Sequence, residues 1–401
     1  MVTYQGDFVE VGDEDYYISN NDRTIVTAAS LTVSHNWYLP PAAGFNAGEE
    51  VLILDAFGTC SNVRPLFIYC TDGDFINGRS SLTFWPLTNF YAFLRVRSNG
   101  RNGWVITAQN PVDVQIFTSS GTFWKHPEAK VIDLFIWGAG GGGGGGRRGA
   151  AGTPRYGGGG GAAGGFLFNR IYGTGVGASA AITIGSGGSS GSGRTTDNAS
   201  GFAGGAGGTS QVLFGTGIND LYYANGGGGG GGGGSAAYVL GGVGVEVSAW
   251  PYRAVVPAWG GASILLSVDG AYMTLPHGLT PQPATTSSTA GGGGSGDGID
   301  TDNIGYGGLG TGGEGSYGEG FFPVVGGQSQ LAASVGGDAL ITFGGGGGGA
   351  GGASDTGLIR TGAQGGEPGG GGGGGAAAPN GTTSGSGGFG RRGRVVIVTY
   401  R

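Results

Sequence analysis

Three histidines, two cysteines and a group of carboxylates are the side chains in this 401-residue chain whose types could do chemistry. A metal or hydrolytic site needs such groups at short spacings, so that a turn or strand brings two or three to one point. His35, His126 and His277 stand alone, without ligand spacing or an evident nucleophile partner. His126 falls in a turn before an expected strand and reads as structural. Asp297, Asp300, Asp302, Glu314 and Glu319 are close enough in sequence for a pair of glycosidase carboxylates. The stretch DGIDTDN (297–303) offers oxygen ligands at loosely suitable spacing for calcium. Solubilising acids in a polar, glycine-rich turn account for all of these more simply. Cys60 and Cys70 flank adjacent expected strands; free thiols packed as small apolar groups are expected, with a disulfide as the alternative. GxGxxG spacings match almost anywhere here and carry no nucleotide signal, and no lysine follows Lys130 to build a P-loop. The expectation is a protein that is not an enzyme and holds no cofactor.

Charge excludes a second class. The formal net charge is −7, only 11% of residues are charged, and the two lysines are Lys125 and Lys130. Phosphate binding needs clustered cations, so no nucleic-acid partner is expected. The start, MVTYQGDFVEVGDEDYY, is acidic and lacks the basic and apolar regions of a signal peptide. No stretch of apolar side chains is long enough to span a membrane. Synthesis and folding in a cytoplasm are expected.

The elements that would position any site divide the chain in two. Glycine supplies 102 residues, nearly all after residue 137, including nine in a row from Gly226 to Gly234 and five shorter runs between Gly140 and Gly375. Ordering each residue's backbone costs about 1–2 kcal/mol, and glycine has no side chain to offset it. Such runs stay ordered only where their N–H and C=O groups find partners. The polyproline II conformation points those groups outward in three directions, so several glycine runs can bond to one another. A flexible linker is the alternative. Against it, the runs alternate with apolar segments, FLFNRIY (166–172), QVLFGTG (211–217) and DALITFG (338–344), which need a core. Two strand-like segments, 131–141 and 390–401, bracket the region and would close it by pairing. Collagen is excluded because no strict Gly-X-Y period exists.

Before the glycine region, short apolar runs separated by turn signals read as strands: 50–56, 64–70, 81–87, 90–98 and 103–108. VLIL and LFIY are apolar at consecutive positions, which predicts burial on both faces, with neighbouring copies supplying the cover. A homotrimeric β-prism meets that requirement.

Here the pattern resembles a known module. LPPAAGFNAGEEVLILDAFGTCSN, DFINGRSSLTFWPL and FYAFLRVRSNGRNGWVI are similar to a module of phage tail fibres and tail spikes, matched at Leu39 to Ala43, Asp55 to Gly58, Ile76 to Gly78 and Asn99 to Trp104. Arg101 and Gly103 depart from the usual final motif, and Trp104 stands one residue late. QIFTSSGTFWKHPEAKVIDLFIWGAGGGGGGG (115–146) and the closing GSGGFGRRGRVVIVTYR (385–401) resemble the glycine-rich domain of phage receptor-binding proteins, among them the fibre-tip adhesins of T-even-like phages. That resemblance implies a sandwich of polyglycine II helices with receptor contacts on loops at one end. An internal repeat, 207–230 against 326–348, supports one β/polyglycine unit used twice.

Alternating passes over 138–146, 157–165, 185–193, 201–208, 226–234, 291–298, 344–352 and 365–375 would put the loops Arg147–Tyr156, Arg194–Ser200, Ser235–Ala290 and Ala353–Gln364 at the far end. The third carries Tyr238, Trp250, Tyr252, Arg253, Trp259 and Tyr272, either receptor anchors or the core of a small β unit. In the first, Arg147, Arg148, Arg155 and Tyr156 are set either to bind phosphates or acidic sugars or to cap glycine carbonyls.

The expected fold is mainly β: a virion-attachment segment (1–25), a trimeric β-prism-like oligomerisation domain (26–112), and a β-capped polyglycine II sandwich (113–401) with a large insertion at 235–290. What the resemblance implies is a tail-fibre adhesin at the virion's fibre tip. Its partners would be a host receptor (lipopolysaccharide glycan, outer-membrane protein or pilus), phage baseplate or fibre proteins, and two further copies of itself. A tail-spike depolymerase and an extracellular structural protein are the alternatives.

Overall fold

Short runs of alternating apolar residues build strands throughout. The computed structural model is mainly β in several sheets; among the described residues helix is confined to two 3-10 turns, Ala42–Gly44 and Gly173–Gly175. Described are residues 3–400 apart from 6–7, 62, 72, 80–82, 90, 111, 216–219, 291 and 300–359; of 236–289, only the backbones of four short strands.

The first domain winds as three turns of a parallel solenoid. Strands β2 (Phe8–Val11), β4 (Thr24–Thr27) and β6 (Glu50–Leu54) stack in parallel in one sheet; β3 (Tyr16–Tyr17), β5 (His35–Tyr38) and β7 (Leu66–Tyr69) stack in parallel in a second. The register places Val9, Ile25 and Ile53 on one another, facing Tyr16, Trp37 and Ile68, and all six are buried. A pleated strand turns every second residue inward, so these stacked positions form the core. At the first sheet's edges, β1 (Thr3–Gln5) pairs with β2, and β10 (Phe93–Ser98), β11 (Gly103–Gln109) and β8 (Phe75–Ile76) extend it beyond β6. β9 (Phe84–Leu87) extends the second sheet.

One expectation changes. Residues 8–25, part of the segment 1–25 read as a virion attachment, supply the first turn, with Val9, Val11, Tyr16 and Ile18 in the same core as Trp104. Their acidic connecting residues hid the strands from a hydrophobicity reading. Within one chain β6 and β7 bury one face: Val51, Ile53, Leu66 and Ile68 point inward, while Leu52, Leu54, Phe67 and Tyr69 are half-buried on the face for which cover by a neighbouring copy is expected.

The module-like motifs interlock. Trp104 Nε1 donates to Pro40 O (3.2 Å), and buried Asp55 accepts from Cys60 N (2.8 Å) and Thr27 Oγ1 (3.2 Å). Asn77, at φ 52°, accepts from Ile106 N (2.8 Å). They are architectural.

The second domain rests on two sheets. β14 (Val131–Trp137) pairs antiparallel with β25 (Arg394–Tyr400), so the bracketing strands do close the region. β12 (Val112–Phe117) and β16 (Phe166–Tyr172) flank them, and β21 (Ala254–Val255) pairs with β16. The other sheet orders β13 (Gly121–Trp124), β17 (Ser179–Thr183), β18 (Ser210–Leu213) and β19 (Leu221–Ala224). Between them lie Phe117, Phe123, Leu134, Ile136, Val212, Phe214, Val395 and Ile397.

Nine successive N–H groups leave β14 with no β partner, and each finds one elsewhere. Within 138–146 the amides donate in strict rotation to 157–165, 201–208 and 385–391, at 2.8–3.0 Å. The carbonyls of 139–145 accept, again in rotation, from 226–234, 185–193 and 369–376. One extended segment thus bonds to six neighbours with a period of three, the neighbours also bonding to one another. Its central glycines are obligatory: a Cβ on Gly143 would lie 2.1 Å from Gly373 O, and one on Gly144 2.0 Å from Gly231 O. Where a row faces solvent other residues enter, as with exposed Ser186, Ser189 and Ser192 at the same three-residue spacing.

Hydrogen-bond order also corrects the expected alternation. Residues 292–299 run parallel to 138–146, not back toward the sheets. The last stretch makes three passes where one was expected: 360–366 inward, 369–376 outward and 385–393 inward. Glu367-Pro368-Gly369 turns the chain between the first two, Gly369 adopting φ 76°, which a Cβ disfavours. The pass at 344–352 lies outside the described residues.

Gly143→Ala is expected to destabilise by about 2–3 kcal/mol or more, because two backbones must separate. Ser189→Ala on the solvent row should change stability by less than about 0.5 kcal/mol. Thermal melts compare them, and equal melting temperatures would show that the glycine segments are not close-packed.

Candidate functional site

Beyond the glycine segments, three loops gather at the end away from the sheets: Arg147–Tyr156, Arg194–Ser200 and residues 377–383. The last was not among the expected loops, because the turn at 367–369 had not been read as one. β15 (Arg148–Gly149) pairs in parallel with β24 (Ala378–Pro379) and bridges Arg148 to Ala199, placing the first loop between the other two.

Arginine and asparagine fasten them. Arg148 Nη2 lies 2.5 Å from Asp197 Oδ1, and its Nη1 donates to Thr195 O. Asn198 Oδ1 accepts from Ala150 N (3.0 Å) and Asn380 Nδ2 (3.1 Å), while Asn198 N donates to Asn380 Oδ1 (3.1 Å). Asp197 Oδ1 also accepts from Gly381 N (3.1 Å). Beneath them Ser384 Oγ donates to Gly146 O (2.7 Å) and accepts from Arg194 N (2.7 Å). The Arg194 guanidinium stands 3.7 Å over the Phe202 ring.

Of the first-loop candidates, only Arg147 reaches the surface, donating to Ser200 Oγ (3.3 Å). Arg148, Arg155 and Tyr156 are buried, with 9%, 0% and 5% exposure, and are corrected from receptor contacts to internal supports. Arg155 exchanges backbone bonds with Ile299 and donates from Nη1 to Gly149 O (3.5 Å); the Tyr156 backbone bonds to Gly234 and Arg147. Guanidinium N–H groups thus donate to loop carbonyls just beyond the extended segments, those of Thr195 and Gly149. What faces outward from these loops is small and polar: Ala151, Gly152, Thr195, Thr196, Asp197, Asn198, Ser200 and Gly381 are exposed.

The long insertion is not confined to that end. Ser235 leaves the far end, but Ala290 lies beside Gly369 and close to Gly138, at the sheets, and Ala254–Val255 pair with Phe166–Leu167 in the base sheet. Trp250, Tyr252, Arg253, Trp259 and His277 lie outside the described residues, as do Asp300, Asp302, Glu314 and Glu319. Tyr238 and Tyr272 fall in described strands, pairing with Ile264 and Ser267.

The remaining chemistry-bearing groups have structural settings. His126 packs edge-on to Trp85, ring centroids 4.3 Å apart, and its Nδ1 accepts from Glu128 N (3.1 Å). His35 lies between carboxylates, Nε2 2.7 Å from Asp13 and Nδ1 3.1 Å from Asp15; Thr32's hydrogen bonds help hold the Asp13 carboxyl below its ordinary range. Both cysteines are free thiols. Burial pushes Cys60 far up and Cys70 up to about 12, with Asp55 and Asp74 adding to the effect. Among the described residues no three His, Cys, Asp or Glu side chains gather as a metal site.

No protein-family model matches the chain, and no curated protein matches it.

Two outcomes are expected. Arg148→Ala strips buried charge-assisted bonds and should cost about 2 kcal/mol, read in a thermal melt, with faster amide exchange at 195–199; unchanged exchange there would contradict the fastening role. Because the thiolate is the nucleophile, neither cysteine of the folded chain should react with a thiol reagent at pH 8, while both react after denaturation. Prompt labelling of either would show that the thiols are not held neutral.

Proposed function

We propose that this chain is a bacteriophage tail-fibre receptor-binding protein, attaching the virion to the host surface non-covalently through the loops at the far end of its second domain. In this reading the extended glycine segments are polyglycine II helices packed as a sandwich, and the first domain is a homotrimeric β-prism-like unit joined to baseplate or fibre proteins. The observation that carries it is the three-residue rotation of bonds around 138–146, the pattern expected of packed polyglycine II helices. Nine such residues hold the loops about 28 Å from the base at ~3.1 Å per residue. Connecting loops on a rigid scaffold are where binding surfaces concentrate. The resemblances at Leu39–Trp104 and at both ends of the glycine region support the same conclusion.

The partner would be a host glycan, outer-membrane protein or pilus. Receptor contact is assigned here to 147–156, 194–200 and 377–383, the described loops that gather at the far end with small polar groups exposed. Small hydroxyl and amide groups there offer hydrogen bonds without a large anchor, so useful adhesion depends on several copies acting together.

Particles carrying Ala151→Arg, Thr196→Arg and Thr382→Arg, one on each loop, should assemble normally and adsorb to host cells at least about tenfold more slowly, given avidity's amplification of weak contacts. Adsorption of the triple variant at the wild-type rate would overturn the assignment.

A further inference from the structure

The two sheets of the first domain present opposite chemistry to their surroundings. Outside the first, Glu50 lies 2.7 Å from Arg97 and 4.0 Å from Arg95, and Arg23 pairs with Glu49 at 3.5 Å. Outside the second, β3, β5, β7 and β9 carry Tyr17, Asn36, Tyr38, Phe67, Tyr69 and Phe84, with no charged side chain. Asp15, a carboxylate whose charge reaches Tyr38, is tied to His35 and to Asn36 N.

In-register parallel pairing puts Tyr17 on Tyr38 and Tyr38 on Tyr69. Their rings stack at 4.4 Å and 5.5 Å, Tyr69 continues to Phe84 at 5.4 Å, and Phe84 to Phe67 at 5.8 Å. Phe67 meets Trp124 of the second domain at 5.9 Å. One aromatic ladder therefore runs the height of the solenoid and across the domain junction. At its far rung Tyr17 is 71% exposed.

Resting on the homotrimer reading above, we propose that three copies of this chain turn their second sheets toward a common axis and bury this ladder, each rung contributing a layer of three rings. Symmetry makes a residue beside a threefold axis meet its own copies, so a charge there would repel itself. The uncharged sheet satisfies that condition and the Glu50–Arg97 sheet does not. The rungs stack along the solenoid, so equivalent rings of parallel copies stand at equal height. Ring geometry argues against a sugar occupant: stacking within the ladder occupies the flat faces that a pyranose would cover, leaving edges and phenol oxygens outward. Those edges suit edge-to-face packing with identical rings.

Sedimentation of the full chain at micromolar concentration tests this. The wild type should sediment at three times its 39.4 kDa mass. Tyr38→Arg should weaken the trimer by about 30-fold or more, the effect of losing a central anchor. Val105→Arg, on the charged sheet's outer face, should remain trimeric. Photo-oxidative tyrosine cross-linking of the wild type supplies a readout independent of variant folding, and should join Tyr38 or Tyr69 of one copy to a ladder tyrosine of another. A monomeric wild type would overturn both the trimer and the ladder's role. A trimeric wild type with no ladder cross-links, and with Tyr38→Arg folded and still trimeric, would overturn the ladder's role alone.

Discussion

The second domain depends on a single constraint: every amide and carbonyl of a chain without side chains must find a backbone partner. An N–H or C=O buried without one forfeits water at a cost of about 1–3 kcal/mol. Segment 138–146 meets this by rotating its bonds among six neighbours, which requires backbones so close that a Cβ would sit about 2 Å from a carbonyl oxygen. At those contacts glycine is the residue that fits, while Ala139, Ala162 and Ala163 occupy other buried positions of the segments. Solvent-facing rows have no such restriction, and serine, alanine and phenylalanine appear in them.

Rigidity at the far end follows from that packing. The loops begin and end on segments already fixed at both termini, and the bonds of Arg148, Asn198, Asn380 and Ser384 tie them to one another. Arg148 and Arg155, buried beneath the loops, donate to the carbonyls of Thr195 and Gly149. Little charge and no large apolar side chain reaches the surface of these loops, so the proposed adhesion depends on shape and hydrogen bonds.

The first domain is joined to the second without a free linker. Thr88 Oγ1 donates to Asp113 (2.7 Å), Asn77 Nδ2 donates to Glu128 (2.8 Å), and His126 packs on Trp85. The ladder crosses the same junction through Phe67 and Trp124. Any assembly of the first domain therefore orients the loops of the second, which is the arrangement avidity requires.

Much of this was legible in sequence. Short apolar runs between turn signals within 50–108 marked strands, the matching character of 131–141 and 390–401 marked the closing pair, and pure glycine runs could be ordered only by bonding to one another. Few and scattered cations set the expectation of no nucleic-acid groove whatever the fold. Direction and depth were not legible. A backbone bond carries no residue preference once glycine is present, so nothing in 292–299 announces that it runs parallel to 138–146, and nothing in GSGGFGRRG (385–393) shows that every third position suffices for another pass. Burial of Arg155 and Tyr156 likewise depends on Ile299 and Gly234, more than seventy residues away along the chain. Local chemistry chose the elements; long-range backbone pairing, blind to side-chain type, decided their order and which loops face outward.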